Sequence, residues 1–188
     1  MKNQILILMF SLLIFSCDSE AEDARIDWVK KIDNKIVKYN NSAQIENTKV
    51  IDEFGGKTKV IVYNKNSEGI YKVKGEYKEA DFEMISEFYI QNDMIILEKK
   101  YGLTPLLYKR QRKDNEPCCQ ILEILNYYKS KEKAKQYERE LKFLYPNDYK
   151  LKDLDDINLE DVKDEGIGFN NYSESEQQLQ HLKELLVN

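Results

Sequence analysis

The chain has 188 residues, 34% of them charged and 41% hydrophobic, with a formal net charge of −5. That length is enough for one domain with a substantial core, and the acidic balance argues against nucleic acid as a partner, because phosphate-backbone binding needs a basic patch or stripe. The one basic run without interleaved acids, Lys109-Arg110-Gln111-Arg112-Lys113, is short and reads as a solvated loop between two strands rather than an anion site.

The first segment is an address. Lys2 precedes an apolar run over residues 5–15, too short to span a bilayer comfortably, and the small residue Ser16 stands before Cys17. Ile14-Phe15-Ser16-Cys17 resembles the lipobox of bacterial lipoproteins, with a branched apolar residue three places before the cysteine and a small one immediately before it. The resemblance implies that Cys17 is acylated on sulfur, becomes the first mature residue and tethers the rest to a membrane. Two or more acyl chains hold a protein stably where one does not. Residues 1–16 are then a cleaved signal, 17–23 the lipidated cysteine with an acidic tether, and 24–188 a single globular domain. Cleavage removes Lys2 and no acid, leaving 28 basic against 34 acidic residues, a formal charge of −6.

Ile26, Val29, Ile32, Ile36 and Val37 recur at three- and four-residue spacing with Trp28 beside them, which predicts an amphipathic helix over 22–39. Asn40-Asn41-Ser42 should stop it, because these side chains compete for backbone hydrogen bonds. From Thr48 the period changes to two and β-branched and aromatic residues become frequent, predicting strands over 48–54, 57–63 and 69–77. Phe82, Met84, Phe88 and Ile90 share one face of the next strand; Asn92-Asp93 is a tight turn, and 94–101 returns. Glu83, Glu87 and Tyr89 are expected on a wet face opposite, with Ile85 the exception.

A short strand over 106–110 precedes the basic loop. The run 118–128 fits either a helix face or a buried strand, and strand is preferred because Pro117 opens it and two tyrosines close it. Ser130 should cap a helix of strong formers over 131–144, with Ala134, Tyr137, Leu141 and Leu144 on one side. Residues 153–165 hold seven acids, with Leu154, Ile157, Leu159 and Val162 as anchors, and 166–171 reads as a loop. Ser173 and Glu176 have capping-box spacing ahead of a final helix striped with Leu179, Leu182, Leu185 and Leu186.

No catalytic constellation is legible. His181 is the single histidine and is expected at the surface, and there is no nucleophile elbow, phosphate loop or zinc-protease motif. Glu83 and Glu87 stand roughly 13 Å apart by strand rise, too far for a glycosidase pair. Asp153, Asp155, Asp156, Asn158 and Glu160 lack the central glycine and distal glutamate of a calcium loop and read as a solvated face. Cys118 and Cys119 are expected as one buried and one exposed thiol, with a vicinal or an intermolecular disulfide as alternatives. No metal and no cofactor is expected. The 13 tyrosines read as cross-strand packing with hydroxyls at the rim, or as a recognition face if aligned.

The expected fold is α+β: an N-terminal amphipathic helix on an antiparallel meander of about six strands, closed by C-terminal helices. This organisation is similar to uncharacterised small envelope lipoproteins of Gram-negative bacteria. The expected role is a non-enzymatic, membrane-anchored protein-binding module of inhibitor or immunity type. Its partners would be membrane lipid through acylated Cys17 and a protein of the envelope, at the outer membrane facing the periplasm or the surface. The alternative is a carrier of a small ligand or lipid, with an apolar cavity under the sheet.

Overall fold

The computed structural model describes residues 25–53, 55–79, 82–105, 119–143, 157–161 and 172–187. A helix, α1 (Asp27–Asn40), precedes seven long strands: β1 (Ile45–Glu53), β2 (Gly56–Tyr63), β3 (Ile70–Glu79), β4 (Phe82–Gln91), β5 (Met94–Pro105), β6 (Cys119–Ser130) and β7 (Lys133–Phe143). A two-residue edge segment, β8 (Glu160–Asp161), and a helix, α2 (Tyr172–Val187), follow. Strand order in the sheet equals chain order, and every pairing is antiparallel. The α+β class holds. The strand count is seven rather than about six, and the first described helix begins at Asp27 rather than at the N-terminus.

The meander follows from its turns. Asn92 and Asp93 both have positive φ, 52° and 60°, which matches the twist of a two-residue hairpin and needs residues tolerant of that region. Gly55, with φ of 84°, reverses the chain between β1 and β2. Between β4 and β5 the register slips, so that Tyr89 faces Leu97 and Ile90 faces Ile95. Ile96 is the extra residue of this bulge and is buried with Leu97.

The largest correction concerns 131–144, which is a strand and not a helix. Lys133–Phe143 pairs with β6 from Ser130↔Lys133 to Cys119↔Phe143. Intrinsic helix preference is a weak prior that tertiary context overrides. Tyr137, Leu141 and Phe143 alternate onto the face where Leu125, Ile121 and Cys119 already stand, and that burial decides the outcome. Ser130 therefore caps no helix; its hydroxyl accepts from the Glu132 amide in the turn. The preferred strand over 118–128 is present as β6. Only one of the expected C-terminal helices lies among the described residues, and it starts at Tyr172, which places Ser173 inside the first turn rather than at the cap. The strand expected at 106–110, the basic loop, the loop over 166–171, Leu154, Val162 and residues 1–24 lie outside the described residues.

Both faces of the sheet are covered, each by a different helix. On one face α1 buries Val29, Ile32, Ile36 and Tyr39 against Ile70, Tyr89, Leu97 and Tyr127. Each fully buried aliphatic side chain contributes about 1.5–3 kcal/mol. The predicted stripe is shifted by the strand it meets: Val37 is 60% exposed, and Tyr39 replaces it in the core. On the other face α2 lays Tyr172, Leu179 and Leu182 over Val60, Val73, Phe88 and Ile90. The two-sided cover overturns the wet-face expectation, for Tyr89 is buried beneath α1. A third cluster, Cys119, Ile121 and Phe143, is joined by Ile157, so the acidic segment is anchored where Ile157 and Leu159 were expected to hold it.

Candidate functional site

Where α2 leaves its sheet face open, a cleft of about 540 Å³ remains. Tyr77, Phe82, Met84, Phe88 and Leu182 make it largely apolar. Its depth has a sequence cause. Gly75 and Ser86 are cross-strand partners, so two adjacent positions under the helix carry almost no side chain. A Cβ on Gly75 would come within 2.8 Å of Leu182, so glycine there also sets how closely α2 sits. Phe82 and Met84, expected to be core, instead stand half-exposed and 41% exposed on this floor. Tyr77 and Phe82 meet edge to face, ring centres 5.9 Å apart.

Polar groups stand at both ends. At one end His181 Nε2 of α2 is 3.4 Å from Glu53 Oε2 of β1, and Glu53 also accepts from the Thr58 hydroxyl at 2.5 Å. At the other end Lys100 Nζ lies 3.0 Å from Oε1 of Glu98, a carboxylate with no exposed surface. Glu98 Oε2 accepts from the Asn126 amide at 2.7 Å and the Ser175 hydroxyl at 2.8 Å. Ser175 in turn meets the Tyr128 hydroxyl at 2.7 Å. A buried charge stays tolerable only with such partners, so this network ties β5, β6 and α2 together beside the cleft. A larger depression over the β1–β2 turn, about 590 Å³, is lined mainly by Asp52, Glu53, Lys57, Lys78 and Glu79 and lacks an apolar floor.

The α1 face carries charge beyond the end of the helix. Lys74 Nζ stands 2.8 Å from Glu76 and 3.8 Å from Glu87, and Lys72 Nζ 3.7 Å from Glu87 and 4.2 Å from the Tyr63 ring centre. Burial pushes the Lys72 ammonium down despite Glu87. Burial would also lower Lys74, but its hydrogen bond to Glu76 and the nearby carboxylates outweigh that and hold it up. Glu123 has no exposed surface and is held by Arg139 Nε and by Lys99 Nζ at 2.8 Å. These acids and bases satisfy one another, which marks a structural ladder rather than an open site.

Cys17 and its lipobox lie outside the described residues. His181 is about half-exposed, in keeping with the surface expectation, yet it also closes one end of the cleft. Glu87 is paired and Glu83 faces Leu103 across the ladder. Among the described residues no group of three or more His, Cys, Asp or Glu could hold a metal ion. Cys119 is buried and disulfide-bonded, which overturns the free-thiol expectation for it; Cys118 lies outside the described residues. The tyrosines are mainly packing: Tyr39–Tyr89, Tyr127–Tyr137 and Tyr128–Tyr172 are edge-to-face pairs. Burial pushes Tyr39 up to about 12 and raises Tyr89, Tyr127 and Tyr128 further. Sequence reasoning missed Glu98 and Glu123, although an acid inside Ile95-Ile96-Leu97-Glu98 or Leu122-Glu123-Ile124 is a signal of a buried, partnered charge.

No family model, curated protein or solved structure matches this chain. Among the described residues no helix is long and apolar enough to cross a membrane.

Proposed function

We propose that this is a membrane-tethered lipoprotein that binds a small ligand with an apolar body and a polar end in the cleft beside α2. The observation that supports this most directly is the apolar cleft itself, whose volume of about 540 Å³ falls in the range of small-molecule sites. The floor supplies contact area without hydrogen-bond demands, and the charged groups at the two ends supply orientation. Catalysis is not part of this reading, because among the described residues His181 has Glu53 as its partner and no hydroxyl or thiol hydrogen-bonded to it.

Met84→Trp should fill the floor. Titration with a fluorescent fatty-acid analogue is expected to give saturable one-to-one binding to the parent and at least tenfold weaker binding to the variant, with unchanged circular dichroism. Equal binding by both would refute the cleft as the site.

The tether rests on Ile14-Phe15-Ser16-Cys17. Cys17→Ser is expected to abolish incorporation of labelled palmitate and to move the protein from the membrane to the soluble fraction, with an outer-membrane location read by fractionation of the parent. Lipid on the Cys17 sulfur leaves Cys118 as the cysteine of this chain able to pair with Cys119. The second reading, a protein-binding module of inhibitor or immunity type, draws support from β1, the outermost strand of the sheet. It exposes Ile45 and Val50, and among the described residues no strand pairs with its outer edge, as strand addition would need.

A further inference from the structure

We infer that the outer face of α1 is a docking surface for an anionic lipid bilayer. The helix buries one side on the sheet and turns Lys31, Asn34, Lys38 and the exposed Val37 outward, with Lys30 half-buried on the same side. Three lysines against Asp27 make this face basic in a chain whose net charge is −5. Lys35 and Arg25 do not count toward it, since they are engaged with Gln91 and Asp33. Val37 at 60% and Ile26 at 39% exposure add apolar side chains on the flank of the basic face. A helix with lysines on its solvent side and a few exposed apolar residues suits the headgroup boundary of an anionic membrane.

Charge complementarity selects this occupant over a protein or a second copy. A bilayer offers a continuous negative surface to lysines spread over about two turns, whereas a second copy would bring its own lysines against these. Each basic side chain near such a surface raises partitioning about fivefold. On the face itself three lysines less Asp27 leave two such charges, about twenty-five-fold, and the four acids Asp18, Glu20, Glu22 and Asp23, which precede the helix in sequence and are not on the face, reduce this to about tenfold. Residues 17–26 separate the proposed acyl group from the helix. With the tether in place, docking would orient the domain with its α1 face down and the cleft, on the opposite sheet face, turned away from that bilayer.

The test separates this surface from the lipid anchor. The mature chain, residues 17–188 carrying Cys17→Ser, which has neither acyl chain nor the apolar signal, is co-sedimented with vesicles of phosphatidylcholine alone or with phosphatidylglycerol added. Expected is about tenfold more binding with phosphatidylglycerol, abolished in high salt. Lys30→Glu/Lys31→Glu/Lys38→Glu in the same chain should fall to the phosphatidylcholine level while keeping its circular dichroism and unfolding midpoint. Equal binding to both vesicle types, or a triple variant that binds like its parent, overturns the proposal. Neither outcome bears on acylation of Cys17, which palmitate labelling reads separately.

Discussion

Glu98→Ala is expected to destabilise the domain by about 3–5 kcal/mol, because one side chain is the acceptor for two others and the counter-charge of a third inside the fold. Glu98 receives Asn126 and Ser175 on one oxygen and stands 3.0 Å from the Lys100 ammonium on the other. Alanine leaves the buried Asn126 amide and Ser175 hydroxyl without their acceptor and Lys100 without its counter-charge. Glu98→Gln keeps an acceptor of the same length and loses only the charge, so about 1–2 kcal/mol is expected. Ser175 is the side chain by which α2 donates to Glu98. In the alanine variant, amide exchange should therefore rise along α2 before it rises in β4 or β5. Urea unfolding of both variants reads the first claim and hydrogen exchange the second. A Glu98→Ala cost below about 1 kcal/mol would show that the carboxylate does not hold the helix.

How far the sequence reaches depends on which physical signal was local. The Asn92-Asp93 turn is legible because positive φ at consecutive residues has few solutions, and it correctly placed β4 and β5. The α1 stripe is legible at Val29, Ile32 and Ile36, but not at the choice between Val37 and Tyr39, which depends on the Asn64 carbonyl waiting for the Tyr39 hydroxyl at 3.0 Å. β7 misleads for a related reason. Ala134, Tyr137 and Leu141 fit a helical stripe, while Tyr137, Leu141 and Phe143 fit one strand face, so only the presence of β6 decides. Alternation in β4 taken alone predicts core against water. With helices on both faces, it separates two cores instead, and Glu87 is kept by Lys72 and Lys74 from the preceding strand, β3. The cleft was not legible at all. Gly75, Ser86 and His181 come from three separate segments, and only the register of β3 with β4 and the seat of α2 bring them to one place.

The second large effect concerns Glu123, where the expected results of single and double replacement have different sizes. Arg139→Ala removes the guanidinium that pairs with a fully buried carboxylate, leaving Lys99 at 2.8 Å as its counter-charge, and is expected to cost about 3–5 kcal/mol. Replacing Glu123 and Arg139 with apolar residues of similar volume, Glu123→Leu with Arg139→Met, removes the fully buried charge that needed compensation and leaves Lys99, about a quarter exposed, to turn its ammonium to solvent. Desolvation of a buried pair offsets most of its Coulomb attraction, so the double variant should lie within about 1 kcal/mol of the parent or above it. Its neighbours suit the change, since Ile121 and Leu125 flank Glu123 on the same face and Leu141 and Tyr137 flank Arg139. Arg139 does one further thing that methionine cannot. Its Nη1 donates to the Ile157 carbonyl at 3.3 Å and so helps fix the segment that carries β8 to the edge of β7. The double variant should therefore regain global stability while amide exchange in residues 157–161 stays faster than in the parent. Should the double variant be as unstable as Arg139→Ala, the pair would be contributing net attraction, and the desolvation argument for this face would fail.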